Sequence, residues 1–304
     1  MESVNALSAG VRELYPWNGK HFDTGDGTKL HYLDEGSGDP ILMVHGNPTW
    51  SFYYRNLIKE FSATHRCIVP DHVGMGLSDK PDGYVYSIRN HIANLSKLVE
   101  ELDLRNVTLV VHDWGGPIGF GTALNSPERF KRFVVFNTSV FQGPMPPSIG
   151  MCRIPGLGPL IINGLNGFIR VGLIRAIADR ERMAGAVGEG YLAPYDSWAN
   201  RGAQKAFIDE IPMAESHPNW KLLSELDSGV SIFKDKPMVM IWGEQDFCFT
   251  PWYRQGMQER FPDAEVHPFD DAAHFVVEDA HERIIPLVHD FFARHPIDAG
   301  AASA

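Results

Sequence analysis

Cysteine is scarce in this chain. Cys67, Cys152 and Cys248 are the only three in 304 residues, an odd number that excludes a fully paired disulfide framework and suits a reducing compartment. Basic residues are also in short supply, with 27 Lys and Arg against 38 Asp and Glu, for a formal net charge of −11. That balance argues against nucleic acid as the main partner, because phosphate binding needs clustered Lys and Arg. It also disfavours a negatively charged membrane surface. No apolar run reaches the ~20 residues needed to span a bilayer. The stretch from Met1 to Gly10 has neither a basic n-region nor an apolar h-region, so no secretory signal is expected. The expectation is a soluble cytoplasmic protein with no nucleic-acid or membrane partner. The histidines show no ligand spacing such as His-Glu-x-x-His, and neither a metal nor an organic cofactor is expected. Internal repeats are missing, and the small-residue tail from Ala299 to Ala304 reads as frayed.

What is present is a chain 44% apolar, enough for a sizeable core. Short apolar runs at Ile41–Val44, Cys67–Val69, Val107–Val111, Phe133–Phe136 and Met238–Ile241 have the character of strands buried on both faces. Two further strands, Lys20–Phe22 and Thr28–Leu33, flank a turn at Gly25-Asp26-Gly27. A last strand falls near Glu265–Pro268. Helical patterns fall between most of them, at Ser51–Phe61, Ser87–Leu102 and Gly116–Leu124. Strands alternating with helices predict a mostly parallel sheet covered on both faces. The alternation lapses from about Val140 to Met213, a Gly- and Pro-bearing stretch with helical patterns at Ile169–Met183 and Ala203–Asp209. The organisation predicted is a core domain of residues 1–139 and 214–304, interrupted after the sixth strand by a helical cap of residues 140–213. A final helix is expected over Glu282–Ala293.

Four motifs fall at successive strand ends. Val111-His112-Asp113-Trp114-Gly115-Gly116 joins a strand to a helix, the setting of a nucleophile elbow, in which a tight turn holds one side chain up. Small residues must flank that turn; Gly115 and Gly116 do so on one side, whereas Val111 stands where the usual pattern has glycine. Asp113 alone would equally read as the cap of the next helix. His45-Gly46-Asn47-Pro48 follows the third strand, where such a loop donates a backbone N–H to an oxyanion hole. Gly243-Glu244-Gln245-Asp246 and Ala272-Ala273-His274-Phe275 follow the last two strands. Each is weak singly; together they run nucleophile, acid, histidine, which is the chain order of the α/β-hydrolase fold.

On these residues the chain resembles the haloalkane dehalogenase family of the α/β-hydrolase superfamily, from about Lys20 to Pro296, cap included. The matching positions are Asn47, Asp113, Trp114, Asp246 and His274. Some family members carry a carboxylate after the sixth strand; Asn137 stands there here, and an Asp acid with an Asn–Trp pair is most similar to subfamily III. The resemblance implies an eight-stranded sheet and hydrolytic release of halide from small halogenated hydrocarbons, with a role in detoxification. It implies Asp113 as nucleophile, His274 as base and Asp246 as acid. It further implies that the side chains of Asn47 and Trp114 bind halide, and that their backbone N–H groups form the oxyanion hole. A homo-oligomer fits the resemblance as well.

These roles suit the residue types. A carboxylate is ionised at neutral pH and can attack saturated carbon without a base, leaving an alkyl ester. Halide leaves unprotonated but needs neutral donors in a dry pocket. The imidazole then activates water to hydrolyse the ester. Phe141, Phe168, Phe207 and Phe275 are candidates to line an apolar pocket. Glu244 is a rival acid, while Asp270 and Asp271 read as loop-capping or solvated residues. An epoxide hydrolase is the competing reading, with Tyr191 and Tyr195 of the cap as proton donors.

Overall fold

The structure, a computed structural model, describes residues 6–297; the tail at 299–304 lies outside them. Eight strands are laid down in chain order: β1 Lys20–Asp23, β2 Lys29–Glu35, β3 Pro40–Val44, β4 Arg66–Pro70, β5 Val107–Asp113, β6 Phe130–Thr138, β7 Met238–Gly243 and β8 Glu265–Phe269. They form one sheet in the order β1-β2-β4-β3-β5-β6-β7-β8. The β1–β2 and β2–β4 pairs are antiparallel, and every pair from β4 to β8 is parallel. The exchange of β3 and β4 puts the centre of the sheet at β3-β5-β6. Every residue of β3, β5 and β7 is buried, because helices cover both faces and leave no side for polar alternation.

Between the strands run α1 Ala9–Leu14, α2 Arg55–Phe61, α3 Ile88–Glu101, α4 Gly115–Asn125, α10 Pro218–Gly229, α11 Pro251–Arg260 and α12 Val276–Arg294. Ser87 caps α3 by accepting the Asn90 N–H, which fixes its start where an extended residue meets the first orphan donors. The last helix is longer than its sequence pattern suggested. It begins at Val276 and is two helices joined at Ala280, whose φ of −147° is not helical. Pro286 sits inside it, lacking the N–H that a helix interior normally uses.

Residues 140–213 contain no strand. They fold as α5 Pro147–Met151, α6 Leu157–Pro159, α7 Gly167–Arg175, α8 Ala186–Leu192 and α9 Gly202–Asp209, with short 3-10 and π turns between them. This is the helical cap, inserted after β6. The continuous helix expected over Ile169–Met183 stops at Arg175, and a separate 3-10 turn spans Arg180–Met183. The physical reason is Asp279 of α12. Its carboxylate accepts the N–H groups of Ala178 at 3.0 Å and Asp179 at 3.1 Å, so those donors are taken by a side chain instead of the helix. The same carboxylate accepts the Ala273 N–H at 2.8 Å, and Phe275 N–H donates to Ala176 at 2.6 Å. The lower edge of the cap is thereby fastened to the loop that carries His274.

A second joint is ionic. Arg55 of α2 forms a two-pronged pair with Glu278 of α12, and Tyr191 of α8 donates to the same carboxylate at 2.6 Å. Both charged side chains are under 5% exposed. No single helix among the described residues is long and apolar enough to cross a membrane.

Candidate active site

Asp113 ends β5 with a φ of +52°, a region that non-glycine residues seldom occupy and that stores strain at functional turns. Its neighbours explain how the turn closes. A Cβ on Gly115 would lie 2.0 Å from the Val44 carbonyl oxygen, and one on Gly116 would lie 2.0 Å from Thr138 Oγ1. Val111, on the other side, needs no glycine of its own because the space is conceded elsewhere. The Val111 side chain stands where a Cβ on Gly119 would be, 2.7 Å from its methyl carbon. Asp113 does not cap α4: that position falls to Trp114, without a side-chain cap bond.

The Asp113 carboxylate instead turns toward the β3 loop. Its Oδ1 accepts the Asn47 N–H at 2.6 Å, and the Trp114 backbone N–H also meets the carboxylate. The second oxygen, Oδ2, lies 3.7 Å from His274 Nε2. Asp113, 7% exposed, has its pKa raised by burial, against which the His274 charge and the two backbone donors pull it down.

His274 Nδ1 and Asp246 Oδ2 are 2.7 Å apart. Burial disfavours the imidazolium, but the Asp246 charge and hydrogen bond, with Asp113 beyond, raise the His274 pKa overall. Asp246 is in turn oriented by two donors: Cys248 N–H at 2.6 Å to Oδ1 and Asn137 Nδ2 at 2.9 Å to Oδ2. Asn137 also brackets Gly243, donating to its carbonyl and accepting its N–H. The residue that cannot serve as an acid therefore aims the one that can. Its position at the end of β6 was a signal available in the sequence.

The loop carrying Asn47 is braced from behind. His45 Nε2 accepts the His72 N–H at 3.0 Å, while the His72 ring pairs with the His45 carbonyl at 2.8 Å. Asn47 Nδ2 donates one hydrogen to the Gln204 carbonyl of α9 at 3.1 Å, leaving a second hydrogen on the same nitrogen. Trp114 Nε1 has no protein acceptor among the described residues. Both side chains border a cavity of about 310 Å³ that Asp113 and His274 also reach.

The cavity walls are chiefly apolar. Phe141, Phe168 and Phe275 line it as expected, but Phe207 does not. Phe207 is fully buried behind Trp114, ring centroids 6.2 Å apart, and stacks on His91. Phe247, Phe249 and Tyr253, absent from the sequence-based candidates, complete the wall. Phe249 stacks on His274 with planes 16° apart. Phe247 and Phe249 lie in the loop after β7, where side chains meet ligands in such sheets, and Tyr253 is in the first turn of α11.

The rival assignments dissolve on inspection. Glu244 is bound to Arg254 at 2.6 Å. Asp271 pairs with Arg283 at the surface, and Asp270 is exposed. Neither Tyr191 nor Tyr195 borders the cavity; the Tyr191 hydroxyl is committed to Glu278. The cap tyrosines that an epoxide hydrolase would need as proton donors are thus turned away from the carboxylate.

Comparison with known proteins agrees with the fold. The family model described as "alpha/beta hydrolase fold" matches residues 39–150. A cis-3-alkyl-4-alkyloxetan-2-one decarboxylase of Shewanella oneidensis is 43% identical, covering 90% of this chain and 87% of the relative. Haloalkane dehalogenase 2 of Mycobacterium tuberculosis is 32% identical over 92% of this chain and 96% of its own. The solved structure of the haloalkane dehalogenase DatA from Agrobacterium tumefaciens C58 superposes with a TM-score of 0.79 at 26% identity, covering 90% of this chain and 96% of that one. With its eight-stranded sheet, its cap after β6 and relatives matching nearly end to end, the chain belongs to the haloalkane dehalogenase-like family of the α/β-hydrolase superfamily.

Proposed function

We propose that this enzyme decarboxylates cis-3-alkyl-4-alkyloxetan-2-ones, with Asp113 as nucleophile and Asn47 and Trp114 holding the leaving group, while Asp246 and His274 take no chemical step in that reaction and serve ester hydrolysis in the second reading below. The observation that carries the chemistry is the Asp113 carboxylate, held by the Asn47 and Trp114 backbone donors at the edge of an apolar cavity, with Oδ2 beside His274. A nucleophile so placed needs no activation and suits saturated carbon. The neutral donors beside it suit a weakly basic leaving group, which needs charge stabilisation but no proton. The carboxylate released when an oxetan-2-one opens at its alkyl carbon is such a group. The 43% identity to a decarboxylase of these lactones favours that substrate class.

In this reading Oδ2 attacks ring carbon 4. The bond from that carbon to the ring oxygen breaks, its electrons giving a carboxylate that rests between the Asn47 amide and Trp114 Nε1. An alkyl ester on Asp113 results. The bond from carbon 3 to the carboxylate carbon then breaks, releasing carbon dioxide. Its electrons form the new double bond as the ester C–O bond breaks and restores the Asp113 carboxylate. Inversion followed by anti elimination turns a cis lactone into a cis alkene, and no water is consumed.

Haloalkane hydrolysis is the second reading, favoured by the unpartnered Trp114 Nε1 and the spare Asn47 hydrogen facing the same cavity. Its first step is identical, with halide leaving. Its second differs: neutral His274 takes a proton from water, which attacks the ester, and Asp246 stabilises the imidazolium.

Purified enzyme given a cis-3,4-dialkyloxetan-2-one and, separately, 1-bromobutane in oxygen-18 water distinguishes them. The lactone should yield cis alkene with loss of carbon dioxide and no labelled hydroxy acid, faster than bromide is released. Labelled hydroxy acid with no alkene would overturn the first reading. The pH profiles should also part. Ester hydrolysis needs the neutral imidazole, so bromide turnover falls as pH drops through a His274 pKa raised above 6.5, whereas alkene formation does not follow that titration. His274→Ala should release one equivalent of bromide and stop, yet keep lactone turnover within about tenfold of the parent.

A further inference from the structure

Between Arg129 and Asp179 the chain contains no Asp or Glu, although the whole protein carries a net charge of −11. Within that window the cap segment 140–178 holds Arg153, Arg170 and Arg175, so its local charge is opposite to that of the molecule. The same segment concentrates exposed apolar side chains. Met151, Leu160, Leu165 and Val171 are each more than half exposed, and Ile154 and Ile174 nearly so. Solvent normally limits such patches, and a large one marks a contact surface.

The geometry is that of a surface, not a span. The segments Leu157–Gly164 and Gly167–Arg175 are apolar enough together to suggest a membrane helix, but they meet at 75°. Asn166 makes the turn in the left-handed conformation, its side chain held by the Tyr195 carbonyl. Two segments so short and so bent cannot cross a bilayer as one helix. Trp198, 56% exposed, stands over Gly164 beside Leu160, and tryptophan favours the boundary between water and lipid. Arg170 is exposed with no carboxylate in ion-pairing distance among the described residues. Arg201 lies close enough to feel its charge. In the neighbouring helix α9, Asp209 is already paired with Lys205 at 2.5 Å. Met151, Val171 and Arg175 also border the active-site cavity, which places the patch around its mouth.

We propose that this face of the cap docks on an anionic lipid bilayer, its leucines entering the interface and Arg170 meeting lipid phosphates, with the cavity mouth held against the membrane. The total charge conceals this affinity because the segment 140–178 carries no acidic residue of its own, although exposed Asp196 stands near Arg201 at its edge. Docking does not depend on which reaction the site performs.

The test is co-sedimentation of the full-length protein with vesicles of phosphatidylcholine alone and of phosphatidylcholine mixed with phosphatidylglycerol. Binding should be preferential to the mixed vesicles and weaken with salt as the charges are screened. Arg170→Ala should weaken it roughly fivefold on mixed vesicles only, as expected for one basic residue near an anionic surface. Leu160→Ala with Leu165→Ala should weaken it by more than about tenfold on the apolar area removed. Neither leucine nor Arg170 borders the cavity, and unchanged thermal melting would show that the variants fold. Failure to bind mixed vesicles, or binding indifferent to all three substitutions, would overturn the proposal. So would a parent oligomer that the leucine pair splits into monomers while vesicle binding stays the same, because the face would then belong to a second copy.

Discussion

Below the cavity, the reacting groups hang from the ends of β3, β5, β7 and β8, and each is held by at least one hydrogen bond to a named partner. Above it, the cap presents Met151, Ile161, Phe168 and Val171 on short helices broken by turns at Asn166 and Ala176. The floor is polar, strained and over-determined; the roof is apolar and joined to the floor at a few points. The contrast fits a division of labour. Chemistry needs oxygens and nitrogens placed within a few tenths of an ångström, whereas accommodating alkyl groups needs only dry volume of the right shape. Substitutions below should therefore destroy rate, and those above should shift stability, binding or entry.

The largest effect expected is from the floor. Asp113→Ala removes the only carboxylate that both touches the two backbone donors and faces the cavity, and turnover of lactone or haloalkane should fall by at least about 10⁴-fold with the melting temperature held or raised. A product assay under saturating substrate, beside a melting curve, checks both halves. Retained turnover would remove the distinction between floor and roof altogether.

Next comes the joint between them. Glu278→Gln leaves the Arg55 guanidinium buried without its counter-charge, a change that costs about 3–5 kcal/mol in comparable sites. Thermal unfolding should show a drop of about 6 °C or more, with the surviving enzyme keeping its chemistry because neither residue borders the cavity. A loss of rate without a loss of stability would mean that the joint shapes the floor directly.

Most of the floor was legible in the sequence because its constraints are local. A buried strand, a tight turn and a helix leave a recognisable string, and Asn47, Asp113, Trp114, Asp246 and His274 all sit in such strings. Even the departure at Val111 is answered eight residues along, at Gly119. The strands were legible for the same reason, since burial on both faces demands unbroken apolar runs. What escaped was everything set by contacts distant in sequence. Asp279 truncates α7 from a hundred residues away, Phe207 is drawn behind Trp114 by His91, and Asn137 acquires its task from Asp246. Charge escaped too. A net total of −11 hid an acid-free stretch of fifty residues, because a sum carries no position.

Asn137 gives the intermediate test, since it belongs to the floor but touches no substrate. Asn137→Ala removes a donor to the Asp246 carboxylate and both contacts with Gly243. Hydrogen bonds to charged groups contribute about 1.5–3 kcal/mol, and a loosened Asp246 no longer fixes the His274 ring. With a haloalkane substrate, ester hydrolysis should slow roughly tenfold in kcat with KM unchanged, and Asn137→Asp should not restore it, because a second carboxylate would repel Asp246. A change in KM alone would move Asn137 from positioning the acid to shaping the cavity.

The smallest effect should come from the roof and should be a gain. Gly172 lies inside α7, and a Cβ there would meet nothing within 4 Å; its φ is not in the left-handed region. Glycine at such a place costs helix propensity without relieving any contact. Gly172→Ala should stabilise the protein by about 0.4–1 kcal/mol, mainly by narrowing the freedom of the unfolded chain. Gly172 also borders the cavity, so if the added methyl enters it, turnover of long-chain substrates should fall relative to short ones while melting rises. If chain length makes no difference, the glycine is a tolerated weakness of the helix. If long chains alone are slowed, its missing side chain is part of how the roof admits substrate.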